Sequence, residues 1–376
     1  MNEGAASAAP QPPAQLPVVI VTGFLGSGKT SLLNRLIQAP AMARSLVVIN
    51  EFGAIGLDHL LVEAPDDNLL LLDNGCLCCL NRGDLVETLD GALKRWQAAD
   101  TPAFDRILIE TSGLADPAPI IQSVVTEPRL LQRLRMQSVI TVADCLNAEQ
   151  QLARHPESLK QVVLADLLLL SKTDLAGAEP SAALRDRLAA LNAGAAIADA
   201  GDTATVTAAI HERPASSDAR RTARWLGFRP APATPPRATL PGAAAGHLQS
   251  VNSVSLWLER PVYWNGLTLW LQMLPALKGD RLLRVKGLLD VEGQAVVVHI
   301  VHAVVHEPQV LERWPDDDRR SRLVFIGHQL RRDELEAGLE LLSYAGPPAT
   351  ASFAVEPGAY AEFVVKADRM RNGSDR

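Results

Sequence analysis

Eight consecutive residues, Gly23-Phe24-Leu25-Gly26-Ser27-Gly28-Lys29-Thr30, satisfy G-x-x-x-x-G-K-[ST] at every fixed position. In such a loop the glycines, here Gly26 and Gly28 around Ser27, let backbone N–H groups turn inward and surround phosphate oxygens. A helix starting at Lys29 adds its N-terminal dipole and its unpaired N–H groups to the same anion. Lys29 then reaches the β- and γ-phosphates, and the Thr30 hydroxyl is a ligand for Mg2+. Further on, Arg106-Ile107-Leu108-Ile109-Glu110-Thr111-Ser112-Gly113 is an apolar run that ends in an acid, with glycine three residues later. An acid at such a strand end holds the Mg2+ shell, and the Gly113 N–H can bond the γ-phosphate, so that the following loop senses hydrolysis. The bland alternatives are a glycine-rich turn that binds nothing and a strand-end Glu in solvent. The complete pattern between a strand and a helix weighs against the first. The distance from the phosphate loop weighs against the second.

The apolar run 167–170 leads into Ser171-Lys172-Thr173-Asp174, which resembles the [NT]-K-x-D loop of GTPases. A carboxylate at Asp174 accepts hydrogen bonds from N1–H and the exocyclic amine of guanine. Adenine offers no such donor pair, so ATP would leave the acid mispaired. The Lys172 stem can lie across the base. Ser171 stands where Asn is commoner.

A third cluster is Gly75-Cys76-Leu77-Cys78-Cys79. Three thiolates within four residues are soft ligands suited to Zn2+ or Co2+, and thiolates alone do not separate the two. Neighbouring side chains on a strand point oppositely, so Cys76, Cys78 and Cys79 meet one metal only if the segment bends at Gly75. Three ligands leave a fourth position open, which suits transfer better than a closed structural site. Glu51, Asp58 and His59 are further candidate ligands. Cys145 reads as an inert cysteine. His299, His302 and His306 read as surface or satisfied histidines, with an auxiliary metal or substrate contact as the less favoured alternative.

These residues need elements to position them. Short β-rich runs at 17–22, 45–50, 68–73, 105–110, 138–143, 165–170 and 195–198 alternate with helical segments such as 29–38, 84–97 and 181–191. Several of the runs are apolar throughout, the pattern of a parallel strand covered on both faces. The alternation predicts an α/β doubly wound, mostly parallel sheet. Residues 1–15 read as a disordered tail, 16–212 as the nucleotide domain, and the Pro-, Ala- and Arg-rich 213–245 as a linker. A smaller α+β domain spans 246–345, with strands at 251–259, 282–290 and 295–305 and at RLVFIG, and helices at 265–277 and 332–343. Residues 346–376 carry no clear pattern.

The chain has 376 residues, which at about 150 per domain agrees with two domains. Its formal net charge of −7, without a long basic run, argues against nucleic acid or an anionic membrane as partner. No apolar stretch approaches the ~18 residues of a membrane span, and the N-terminus lacks the pattern of a signal peptide. A cytoplasmic location is expected, and three of four cysteines in one tetrapeptide do not make a disulfide framework.

Together TGFLGSGKTSLLN, INEFGAIGLD, DNGCLCC, DRILIETSGLADP, LLLSKTD, LLRVKGLL and RLVFIG resemble the CobW family of metal-handling P-loop GTPases, relatives of the nickel-insertion GTPases of hydrogenase and urease maturation. The resemblance implies a P-loop GTPase domain followed by the family's C-terminal domain. It implies GTP and Mg2+ at Gly26, Ser27, Gly28, Lys29, Thr30, Glu110, Gly113, Lys172 and Asp174, and a transition metal at Cys76, Cys78 and Cys79. Glu51 falls in the segment that responds to nucleotide, and Ala54 departs from the Glu common in the family. The implied activity is slow GTP hydrolysis that gates delivery of Zn2+ to a client metalloprotein. Segments 50–60 and 113–117 are the expected switches, and a nucleotide-dependent homodimer is an open expectation. Leu114 stands where a water-positioning Gln would be, leaving Asp116 or a partner group as candidates. The rivals are a P-loop kinase or ATPase with a structural zinc, a cobalt-delivering GTPase, and a non-catalytic metal-responsive regulator.

Overall fold

The computed structural model describes residues 15–42, 44–49, 69–71, 82–98, 104–211, 251–278, 281–301, 304–306 and 308–346. The expected linker, the cysteine cluster with Glu51, Ala54, Asp58 and His59, and His302 lie outside these residues.

The first sheet is built from β1 (Leu16–Thr22), β2 (Ser45–Ile49), β3 (Leu69–Leu71), β4 (Arg106–Glu110), β5 (Leu134–Asp144), β6 (Leu167–Ser171) and β7 (Ala196–Asp199). Their order is β3-β2-β4-β1-β5-β6-β7, and every pairing is parallel. All seven residues of β1 are buried, as expected for a central strand covered on both sides. The covering helices include α1 (Lys29–Gln38), α2 (Arg82–Gln97), α3 (Ala118–Thr126), α4 (Pro128–Leu131), α5 (Ala148–Arg154), α6 (Pro156–Leu164), α7 (Thr173–Ala176), α8 (Ala178–Leu191) and α9 (Thr203–His211). Leu85, Leu89, Ile120, Leu159 and Leu184 pack with one face of the sheet, and Leu32, Leu33, Leu36, Val206 and Ile210 with the other. Because the strands are parallel, their carboxyl ends lie on one edge, which is where doubly wound sheets bind ligands.

The second sheet is antiparallel: β8 (Val251–Leu258), β9 (Leu282–Val291), β10 (Gln294–Val301), β11 (Val304–Val305), β12 (Gln309–Val310) and β13 (Ser321–His328). Its order is β11-β10-β9-β13-β8, with β12 also on β10. Helices α10 (Trp264–Lys278) and α11 (Arg332–Leu339) add Leu267, Trp270, Leu271, Leu335 and Leu339 to its core.

Several expected boundaries change. The strand expected at 295–305 is a hairpin, because Ile300 and Val301 pair back on Val305 and Val304. An apolar run cannot show such a reversal, since both arms are equally apolar. β5 begins at Leu134 rather than 138, residues 135–137 being half-exposed where apolar patterning fades. The final helix stops at Leu339, and a 3-10 turn, Glu340–Ser343, completes it.

The sheets meet at a buried charge cluster. Arg284 and Lys286 are two apart on β9 and therefore share a face. Both are 1% exposed and both engage Asp166, which immediately precedes β6. Arg284 also donates to the Leu164 carbonyl, and Lys286 Nζ donates to the Gly194 carbonyl at 2.7 Å. Asp166 in turn accepts from the Val139 N–H at 2.9 Å.

Candidate nucleotide site

β1 ends at Thr22, and the next six residues form a loop closed by Gly28, which caps α1 in the left-handed region at φ 95°. A side chain at that φ is strained, so the loop reaches its helix most easily through glycine. Lys29 is buried, and its Nζ donates to the Gly23 and Phe24 carbonyls at 3.0 and 3.2 Å. Its ammonium therefore lies over the loop. Ser27 is likewise buried.

The acid from β4 arrives at the same place. The Thr30 hydroxyl donates to Glu110 Oε1 at 3.0 Å, across 80 positions of sequence. Two hard oxygens of this kind beside a phosphate loop are the donor set Mg2+ takes with one or two protein ligands and phosphate. The residues thus fit the ion. After β4 the chain passes directly under the phosphate loop: a Cβ built on Gly113 would stand 2.6 Å from Leu25 N and 2.7 Å from Leu25 Cα. Only glycine admits this approach.

The third loop is tied to the first. Ser171, at the end of β6, donates through Oγ to the Ser27 carbonyl at 2.7 Å. Lys172 adopts φ 56°, and its Nζ lies 2.7 Å from Asp144 Oδ2. Asp144 is 1% exposed. Burial works against its charge, but hydrogen bonds from Lys172, Asn147 and the Leu146 N–H hold its carboxyl below the usual range. Thr173 Oγ1 donates to Asp199 Oδ2 at 2.7 Å, and Asp174 is exposed in the first turn of α7. Gly26–Thr30, Glu110 and Gly113 therefore converge, with the Ser171–Asp174 loop strapped beside them.

Both carboxylate oxygens of Asp116, a candidate for positioning water, are engaged within the protein. One of its carboxylate oxygens accepts from the Ala118 N–H at 2.9 Å and the other pairs with Lys160 at 2.7 Å. It ties the loop after β4 to the first N–H of α3 and to Lys160 of α6. His299 and His306 stack with ring centroids 4.6 Å apart. Burial, then His306, Arg284 and Lys286, push His299 well below the ordinary imidazole value. Among the described residues no group of three His, Cys, Asp or Glu could hold a metal. Burial also pushes the Cys145 thiol up.

Two residues of this site carry no sequence motif. Asp144 fixes Lys172, and Gln161 of α6 donates to the Gly113 and Ala115 carbonyls at 3.1 and 3.0 Å. The available signal was an isolated polar residue beside a long apolar run, since such a residue is buried only when it is satisfied.

A parallel sheet with this loop after its central strand, an acid from the next strand and a lysine loop tied alongside defines a P-loop nucleotide-binding fold. Comparison with known proteins narrows the class. Residues 17–199 match the CobW/HypB/UreG nucleotide-binding domain, and residues 251–342 match the cobalamin synthesis protein cobW C-terminal domain. Zinc chaperone YjiA of Escherichia coli (strain K12) is 31% identical over 326 residues, covering 85% of this chain and 96% of that protein. Zinc-regulated GTPase metalloprotein activator 1 of Schizosaccharomyces pombe is 33% identical over 184 residues, 47% of this chain and 44% of that protein. The crystal structure of Zn(II)-bound YjiA GTPase from E. coli superposes with a TM-score of 0.58 at 26% identity, covering 87% of this chain and 99% of that one. The chain belongs to the CobW family.

Proposed function

We propose that the chain is a GTP-hydrolysing metallochaperone that binds Zn2+ through Cys76, Cys78 and Cys79 and passes it to a client metalloprotein under control of the nucleotide. The contact that carries the nucleotide half is Thr30 Oγ1 on Glu110 Oε1, which joins the phosphate loop to the acid strand. The metal half rests on the C-x-C-C sequence and on relatives named as zinc chaperones.

In this reading the backbone N–H groups of 26–30 surround the phosphates and Lys29 exchanges its loop carbonyls for phosphate oxygens. Thr30 and Glu110 would hold Mg2+, which would offset the negative charge that develops on the phosphates. Gly113 presents its N–H to the γ-phosphate. Lys172 lies along the base, and Asp174 accepts the two guanine donors. Water attacks the γ-phosphorus, the bond to the β-phosphate oxygen breaks, and GDP and phosphate leave. Leu114 follows Gly113, so no glutamine orients the water there, and intrinsic turnover is slow.

Phosphate release from GTP and from ATP tests this reading, using the full chain and Lys29→Ala. Preference for GTP and loss of turnover in Lys29→Ala are the expected results. Equal turnover of ATP would favour an ATPase or kinase with a structural zinc instead.

A further inference from the structure

Helix α6 grips the loop after β4 through two consecutive residues. Gln161 is 1% exposed, and its Nε2 donates to the carbonyls of both Gly113 and Ala115. Its neighbour Lys160 pairs with Asp116 at 2.7 Å. Gln161 is itself immobilised, because its own backbone carbonyl accepts from Thr141 Oγ1 of β5 at 2.6 Å. The end of the helix is secured as well. Asn192 Nδ2 donates to the Val162, Val163 and Ala165 carbonyls at 2.8, 3.1 and 2.9 Å, and Arg284 donates to that of Leu164. These donors satisfy carbonyls that a helix C-terminus leaves unpaired, and Arg284 places a cation at the negative end of its dipole. On the opposite side of the loop, Gly113 lies against the Leu25 backbone with no space for a Cβ. The loop is therefore held between the phosphate loop and one amide side chain.

We propose that Gln161 is a positioning residue for GTP hydrolysis: by holding the Gly113 and Ala115 carbonyls it fixes the path of the loop against the phosphate loop, and so the place at which the Gly113 N–H meets the γ-phosphate. The inference rests on the GTPase reading above. Gln161 acts through the loop carbonyls that it holds. Its effect is therefore confined to ligands that carry a γ-phosphate, because GDP offers that N–H no partner. A residue that merely packed the helix would affect both nucleotides alike.

The test measures the affinity of the full-length chain for a fluorescent non-hydrolysable GTP analogue and for fluorescent GDP, with Mg2+, together with kcat and KM for GTP. Gln161→Leu keeps the volume and removes both donors. Losing two hydrogen bonds to the loop predicts about tenfold weaker binding of the analogue, with GDP within about twofold. A fall in kcat accompanies it. Lys160→Met changes a half-exposed residue of α6 that holds the same loop through Asp116, where a substitution costs the fold little. It shifts the same ratio in the same direction by a smaller factor, and it carries the test if Gln161→Leu does not fold. Equal weakening of both nucleotides, or none in either variant, overturns the inference while leaving a GTPase that hydrolyses GTP intact. Failure of the unaltered chain to bind or hydrolyse GTP overturns both readings.

Discussion

The Ser171 hydroxyl donates to the carbonyl of Ser27 at 2.7 Å, which straps the lysine loop after β6 to the phosphate loop after β1. The serine that departs from the commoner Asn thus joins the two halves of the nucleotide site. Because it grips the phosphate loop itself, which surrounds phosphates that both nucleotides carry, its loss affects GDP and GTP alike. Ser171→Ala removes one hydrogen bond, worth about 1 kcal/mol. Titration with fluorescent GDP and GTP analogue is expected to show a roughly fivefold loss for each. Selective loss of the GTP analogue would contradict this role.

Gly113 supplies a sharper case. Its Cβ position lies 2.6 Å from a backbone nitrogen of the phosphate loop, and backbone there cannot yield as a flexible side chain could. Gly113→Ala is expected to push the two loops apart and to weaken the GTP analogue by more than about tenfold. Unchanged affinity in an isothermal titration would show that the loop has room to retreat.

The contact between the sheets predicts an asymmetry among its three charges. Asp166→Asn leaves Arg284 and Lys286 buried without their anion, and breaking a buried pair in this way costs roughly 3–5 kcal/mol. Lys286→Met removes the surplus cation and keeps the Arg284–Asp166 pair, so its cost should be far smaller. Urea unfolding of the two variants compares them directly, and an equal loss would refute the surplus-cation account.

The same cluster gives a pH dependence. Lys286 is lowered from 10.5 to about 7, chiefly by burial, against the pull of Asp166 and with the push of Arg284. A base lowered in the folded state binds fewer protons there than when unfolded, so its contribution makes stability rise with pH between about 7 and 10.5. The other groups act elsewhere. The carboxyl of Asp166 is held below its ordinary value by Arg284 and Lys286 despite burial, and so contributes stability that is lost in acid. His299, lowered well below 6.5, loses stability as pH falls beneath that value. The unfolding free energy of the unaltered chain minus that of Lys286→Met should rise from pH 7 to 9. A flat difference would mean that Lys286 is charged throughout.

Much of this architecture is visible in the amino-acid sequence, and the reasons are local. α1 begins and ends at the expected Lys29 and Gln38 because the glycine cap and the phosphate pattern mark its start. The apolar runs Leu16–Val21 of β1 and Ile107–Ile109 of β4 declare themselves as central strands. What escapes notice depends on partners distant in sequence. Gln161 and Asp144 belong to no motif, and their function is visible only once α6 and β5 bring them to the loops. Arg284 and Lys286 stand two apart in LLRVKGLL, which puts them on one face of a strand, but neither the burial of that face nor the acid 118 positions away that meets Arg284 is marked in the sequence. The hairpin between β10 and β11 was hidden because both arms are equally apolar.

In the proposed function, nucleotide gates the metal. The most direct measurement is Zn2+ affinity by competition with a chelating dye, in three states: Mg2+ with a non-hydrolysable GTP analogue, Mg2+ with GDP, and no nucleotide. Linkage requires that tighter metal binding with the analogue be matched by tighter analogue binding with metal. Markedly tighter Zn2+ binding is expected in the analogue state, and its loss in Cys78→Ala. Equal affinity in all three states, or an affinity that Cys78→Ala leaves unchanged, would contradict it.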